Sequence, residues 1–148
     1  MILENIKFTG VVNFLLTDAC GTEKLNKTYP NLVVFSGKNY IASRMASNNT
    51  VIMSHLSVGG TNTAPANNNT TLAGEFARTA LTSTTVTSNT VTYIATLSPG
   101  TGTGAIVEAG IFNSATANSG DMLCRTIFPV VNKEGGDTLT ITWNVTAN

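Results

Sequence analysis

The segment TLTITWNVT, residues 138–146, carries Leu139, Ile141, Trp143 and Val145 at every second position, with threonine or asparagine between them. Side chains alternate sides with period two along a strand and with period 3.6 along a helix, so this spacing gathers an apolar face only in an extended chain. The same alternation recurs in 6–16, through Ile6, Phe8, Val12, Phe14 and Leu16, and in 90–97, through Val91, Tyr93, Ala95 and Leu97. Further strands are predicted over 51–58, over 75–87 with Phe76 and Ala80 in alternation, over 105–112, and over 121–130, ending near Pro129. Glycine-rich and polar turns separate them at 59–60, 98–104, 113–120 and 132–137. One short helix is predicted near 37–47, with Ser36 as a cap and Tyr40, Ile41 and Met45 packed on a sheet. About seven short strands and one helix predict a mainly β chain, a single antiparallel β-sandwich over 1–148. An extended N-terminal segment and two polar loops, 18–31 and 61–73, lie outside the sheet pattern.

The chain has 148 residues, enough for one domain and one core. Only 11% are charged, and eight basic residues cancel eight acidic ones. Twenty-five threonines, 17 asparagines and ten serines make the surface neutral and polar instead. This disfavours nucleic acid as a partner, which needs clustered Lys and Arg on its phosphates, and a polybasic membrane anchor. Apolar runs such as Phe14-Leu15-Leu16 are far short of the ~20 residues of a membrane span. The N-terminus lacks a basic region followed by an apolar one, so no secretory leader is expected. Cys20 and Cys124 read as two free thiols, in keeping with synthesis in a reducing cytoplasm.

Convergent titratable groups are scarce. His55, the single histidine, falls in a predicted strand and reads as structural. One His and two distant Cys are too few for a metal site, and no G-x-S-x-G elbow occurs. The run Gly100, Gly102, Gly104 lacks the Lys-Ser/Thr of a phosphate loop and sits between two β patterns, so it reads as a hairpin turn. Sequons at Asn26, Asn48, Asn68, Asn69 and Asn144 are what so much Asn and Thr supplies by chance. Catalytic, cofactor and metal sites are therefore not expected, nor is enzymatic activity. Glu75, Arg78, Glu108 and Arg125 stand out because they fall inside the β region. A charge within a sheet is either paired or on the solvent face, so these four are ion-pair candidates, within the fold or across subunits. Glu75 with Glu108 is also the one carboxylate pair a glycosidase would use, but no substrate-binding aromatic cluster accompanies it. Tyr93, Phe112, Phe128 and Trp143 are the predicted aromatic core.

One resemblance follows from the order of these motifs. Val58-Gly59, Pro65, Glu75 and Arg78, Tyr93, Glu108 to Phe112, Met122 to Phe128, Lys133, and Gly136 to Val145 resemble, in sequence order, a family of tailed-bacteriophage virion structural proteins. These are small capsid decoration (cement) proteins and related head-fibre or tail-fibre β modules. The resemblance spans roughly 50–146. It implies a β-sandwich that is not an enzyme, is often a homotrimer, and binds the outer surface of the assembled head to bridge copies of the major capsid protein. It implies a place on the virion exterior after assembly in the host cytoplasm. The expected capsid-contact residues are Ile2, Leu3, Glu4 and Asn5 of the N-terminal segment and Asn67, Asn68 and Asn69 of the second polar loop. A tail, collar or head-fibre adaptor and a glycan-binding lectin-like module are the alternatives.

Overall fold

The computed structural model describes residues 4–46 and 51–148. The eight strands are β1 (Phe8–Thr17), β2 (Glu23–Val33), β3 (His55–Gly59), β4 (Glu75–Thr87), β5 (Thr90–Leu97), β6 (Gly104–Phe112), β7 (Met122–Lys133) and β8 (Thr138–Ala147). A single helix among the described residues, α1 (Phe35–Ala46), follows β2. The strands pair in the order β1-β2-β7-β6-β3-β4-β5-β8, all antiparallel, and β8 returns to β1. The result is a closed eight-stranded barrel, which corrects the expected open sandwich of about seven strands. Alternation reports which face of a strand is buried. It is silent on whether that face meets a second sheet or curls onto itself.

The barrel interior is built in layers set by register. Val12, Trp143 and Tyr93 share one cross-strand row, Phe14, Ile141 and Ala95 the next, and Leu16, Leu139 and Leu97 the third. All nine are buried. The small Ala95 beside the large Phe14 keeps the middle row within the bore of a small barrel. The opposite face of the same strands is hydroxyl-rich: Thr90 Oγ1 lies 2.8 Å from Thr146 Oγ1, and Thr92 Oγ1 donates to Asn144 Oδ1 at 2.7 Å. Much of the threonine excess in the composition is thus the solvent side of β4, β5 and β8.

Closure depends on a narrow seam. β2 and β7 pair only at Leu32–Arg125 and Val33–Cys124. Below those pairs the wall is filled by rings. Phe14 and Phe128 have centroids 4.2 Å apart, and Tyr29 lies 6.0 and 5.9 Å from them. At the far end, Lys24 Nζ of β2 reaches Asp137 Oδ2 at 2.7 Å and Glu134 Oε2 at 3.4 Å, across to the β7–β8 turn. Asp137 also accepts from the Glu134 amide and is nearly sealed from solvent.

Several local expectations change. Most of the predicted loop 18–31 is strand β2, whose side chains are largely exposed and which therefore shows no clear apolar period. Pro30 lies in it opposite Val11 of β1, outside the short pairing with β7, and Pro129 lies in β7 where the register with β6 shifts between Ile106–Val131 and Glu108–Ile127. β7 accordingly runs on to Lys133 rather than ending near Pro129. The segment predicted as a strand over 51–58 pairs only from His55. In β4, Phe76 and Ala80 point outward, and Ala77 and Leu81 pack on the core. Ile6 precedes β1 and is 68% exposed. The helix starts at Phe35, so Ser36 lies within it and donates from Oγ to the Met122 carbonyl at 2.6 Å. Tyr40 is buried and Ile41 half-buried against the barrel, whereas Met45 is 86% exposed and does not join that face. Gly37 meets the Leu123 backbone, so close that any side chain there would push the helix off β7.

The Lys24–Asp137 contact predicts a pH-dependent clasp. The hydrogen bond from Lys24 holds the Asp137 carboxyl below its ordinary pKa. Its stabilisation is therefore complete above the unfolded value of about 3.9 and lost as pH falls through the lower folded value. Asp137→Asn should lower Tm at neutral pH, and the gap to the parent protein should close on acidification through that range, read by thermal unfolding across a pH series.

Candidate functional site

The four charges singled out in the β region form two ion pairs on one side of the barrel. The register sets them in two transverse rows. Arg78 of β4, Ser57 of β3, Gly110 of β6 and Arg125 of β7 lie side by side, and Glu75, Gly59 and Glu108 form the adjacent row. Small residues in the central strands leave a trough in which long side chains and a loop lie flat. A Cβ on Gly59 would collide with the Glu108 carboxylate and come within 2.7 Å of the Gly74 carbonyl.

Glu108 and Arg125 hold loop 61–73. Arg125 donates to Glu108 Oε2 from Nη2 at 2.8 Å and from Nε at 3.2 Å. The same carboxylate accepts the backbone amides of Ala73 at 3.0 Å and Gly74 at 2.6 Å. Arg125 then donates to the Thr63 carbonyl at 2.8 Å and to Asn69 Oδ1 at 3.0 Å. Both side chains are within 1% of fully buried. The loop is also closed at its base by Gly60 N to Gly74 O, and its Asn67 carbonyl accepts the Phe35 amide. Leu72 anchors it through a small apolar cluster with Val34, Phe112 and Met122. A buried pair is costly to desolvate, and here every hydrogen bond it makes beyond itself goes to the loop.

Glu75 and Arg78 do the same for the β6–β7 connection. They pair through two parallel contacts, Nε to Oε1 at 2.7 Å and Nη2 to Oε2 at 2.9 Å. Arg78 donates to the carbonyls of Ser114 at 2.7 Å and Ser119 at 3.1 Å, and its guanidinium stacks 4.0 Å from the Phe112 ring centroid. Glu75 accepts from Ser57 Oγ and from the Asn118 amide. Burial pushes the Glu75 carboxyl up, and the hydrogen bonds from Arg78 and Asn118 outweigh it, so the group stays ionised below the usual carboxylate range.

The remaining candidates fall as follows. Tyr93, Phe128 and Trp143 are in the barrel core. Phe112 is buried outside that core, in the small cluster beneath the loop. Asn67 and Asn68 are exposed at the loop surface, whereas Asn69 turns inward, accepting from the Ala66 amide at 2.7 Å as well as from Arg125. Asn69 is therefore an anchor of the loop rather than an exposed contact. Glu4 and Asn5 are exposed ahead of β1, and Ile2 and Leu3 lie outside the described residues. His55 is half-buried with Nδ1 2.8 Å from Ser54 Oγ. Cys20 is exposed and Cys124 buried, where desolvation raises the thiol pKa well above its ordinary value. The Glu75 and Glu108 carboxylates are each saturated by an arginine and by backbone or hydroxyl donors, which leaves neither as an acid or base for a glycosidic bond. The roles of Asn69, Leu72 and Ser57 were not marked by the sequence reading. The one available signal was the set of small residues, Gly59 and Gly110, at positions facing the charges.

Comparison with protein-family models, with curated proteins and with solved structures finds no match to this chain.

Arg125→Met removes one partner of a buried pair and strips the loop of two hydrogen bonds, those to Thr63 and Asn69. The expected cost is about 3–5 kcal/mol, on the order of 10 °C in Tm. Glu108→Gln/Arg125→Met should recover part of that loss, because the uncompensated charge is gone. Calorimetric unfolding of both variants checks this, and an unchanged Tm in Arg125→Met would sink it.

Proposed function

We propose that this protein is a structural binding module of a tailed-bacteriophage virion: a decoration protein, assembled as a homotrimer, that seats on the outer surface of the completed head and bridges neighbouring major capsid subunits. The motif order from Val58 to Val145 is the source of this reading. The observation that carries it in the fold is the use made of the charges: both buried ion pairs are spent on fixing loops to the barrel wall, not on building a reaction centre. Loop 61–73 is thereby presented as a rigid, neutral, amide- and hydroxyl-bearing ridge, with Asn67 and Asn68 outermost. A pre-ordered loop loses little conformational entropy on binding, so a modest polar interface retains more of its gross energy.

The mechanism is linkage. A module that binds the assembled shell and not its free subunits stabilises the shell by mass action. A trimer engaging several subunits at once gains further from effective concentration. The exposed Glu4 and Asn5, ahead of β1, would supply a second contact.

The deciding experiment is the copy number in purified particles, measured by quantitative mass spectrometry against the major capsid protein. A head decoration protein is expected near one copy per capsid subunit, or one trimer per few subunits. A handful of copies per particle would instead support the tail, collar or head-fibre adaptor reading. Absence from particles would discard both and return the lectin-like module to the front. Within the head reading, Asn67→Ala/Asn68→Ala should weaken shell binding with Tm within about 2 °C of the parent, since both side chains face solvent.

A further inference from the structure

The two ends of the barrel differ in chemistry. At one end Lys24 is joined by ion pairs to Glu134 and Asp137, and Asp18 accepts from the Cys20 and Thr22 amides. At the other, α1 packs against the opening and leaves a hollow of about 240 Å³, walled mainly by Phe8, Tyr40, Ile41, Val91, Tyr93 and Val145. The wall is predominantly carbon. A cavity of about 150 Å³ lined by Leu, Ile and Phe is known to stay dry and to hold a benzene, so a hollow of this kind has room for a short hydrocarbon. Beside it, and sharing Phe8 as a common wall, is a second hollow of about 360 Å³ lined by Ile6, Lys7, Phe8, Thr9 and Lys38. Lys38 Nζ lies 5.4 Å from the Phe35 ring centroid. Among the described residues the ion pairs involve neither Lys7 nor Lys38, and no Asp or Glu side chain lines this second hollow; the Lys7 amide donates to the Asn148 backbone oxygen at 2.9 Å.

An apolar recess that meets, at Phe8, a hollow lined by two lysines is complementary to a molecule with a short hydrocarbon tail and a single anionic head. We propose that the barrel mouth is a binding site for a small amphipathic anion of the alkyl-carboxylate class, with the tail between α1 and the β4–β5 hairpin and the head over Lys7 and Lys38. The lysines are solvent-facing, so the carboxylate keeps part of its hydration and is not asked to enter the barrel charged. The tail then supplies most of the affinity and the head supplies the selection. This site is separate from loop 61–73 and does not rest on the virion reading.

The test is isothermal titration of the full chain with hexanoate, octanoate and decanoate, and with octanol as the neutral tail. Affinity should rise about fourfold per methylene from hexanoate to octanoate, the equivalent of about 0.8 kcal/mol each. Octanoate should bind about fivefold tighter than octanol, the scale of one solvent-facing ion pair or two. Lys7→Gln/Lys38→Gln should erase that preference and leave octanol unchanged. Val91→Phe, which fills the hollow, should weaken both ligands; a matched melting curve separates filling from unfolding, and the lysine variant stands without it. The proposal is overturned if octanoate shows no saturable binding up to on the order of 10 mM. It is equally overturned if octanoate and octanol bind alike and the lysine variant changes neither.

Discussion

The carboxylate of Glu108 is the point on which the outer half of this molecule depends. It is fully buried on the outside of a barrel strand, a position normally open to water. It is tolerated there because a guanidinium and two backbone amides satisfy it. Those amides belong to the end of loop 61–73, and the guanidinium holds the middle of the same loop. The charge and the loop are therefore mutually required: without the loop the pair is exposed and weak, and without the pair the loop lacks polar anchors. Glu75 and Arg78 repeat the arrangement on the next connection, and Phe112 lies beneath both, stacked by Arg78 and contacting the Leu72 cluster.

This divides the barrel into two unlike surfaces. β5 and β8 show a face rich in threonine and asparagine, paired hydroxyl to hydroxyl or amide. β3, β4, β6 and β7 are covered by loops tied down through charge. Four of the eight charged residues within the strands, Glu75, Arg78, Glu108 and Arg125, are committed to that cover. The proposed role as a shell-binding module draws on the same division, because a surface meant to meet another protein benefits from loops that are already ordered.

Much of this was legible in the chain. Period-two spacing located β1, β5 and β8 closely, and the oddity of charges inside strands pointed to Glu75, Arg78, Glu108 and Arg125 before any partner was known. What was not legible has physical causes. β2 faces solvent and pairs fully only with β1, so burial imposes no apolar alternation on it. Pro129 reads as a strand end, yet a bulge absorbs it. Closure into a barrel rests on a two-residue pairing, three rings and the Lys24–Asp137 contact, none of which leaves a periodic trace. Asn69 looked like an exposed polar loop residue because its partner, Arg125, is 56 positions away.

The central claim is that Glu108 and Arg125 hold loop 61–73 on the barrel as part of one cooperative unit. Amide hydrogen exchange at Ala73 and Gly74 measures this directly, since both amides end on the Glu108 carboxylate. The account predicts protection approaching that of barrel amides such as Ile111, with release only on near-global opening. Exchange at those two amides as fast as at the exposed Asn68 would contradict it.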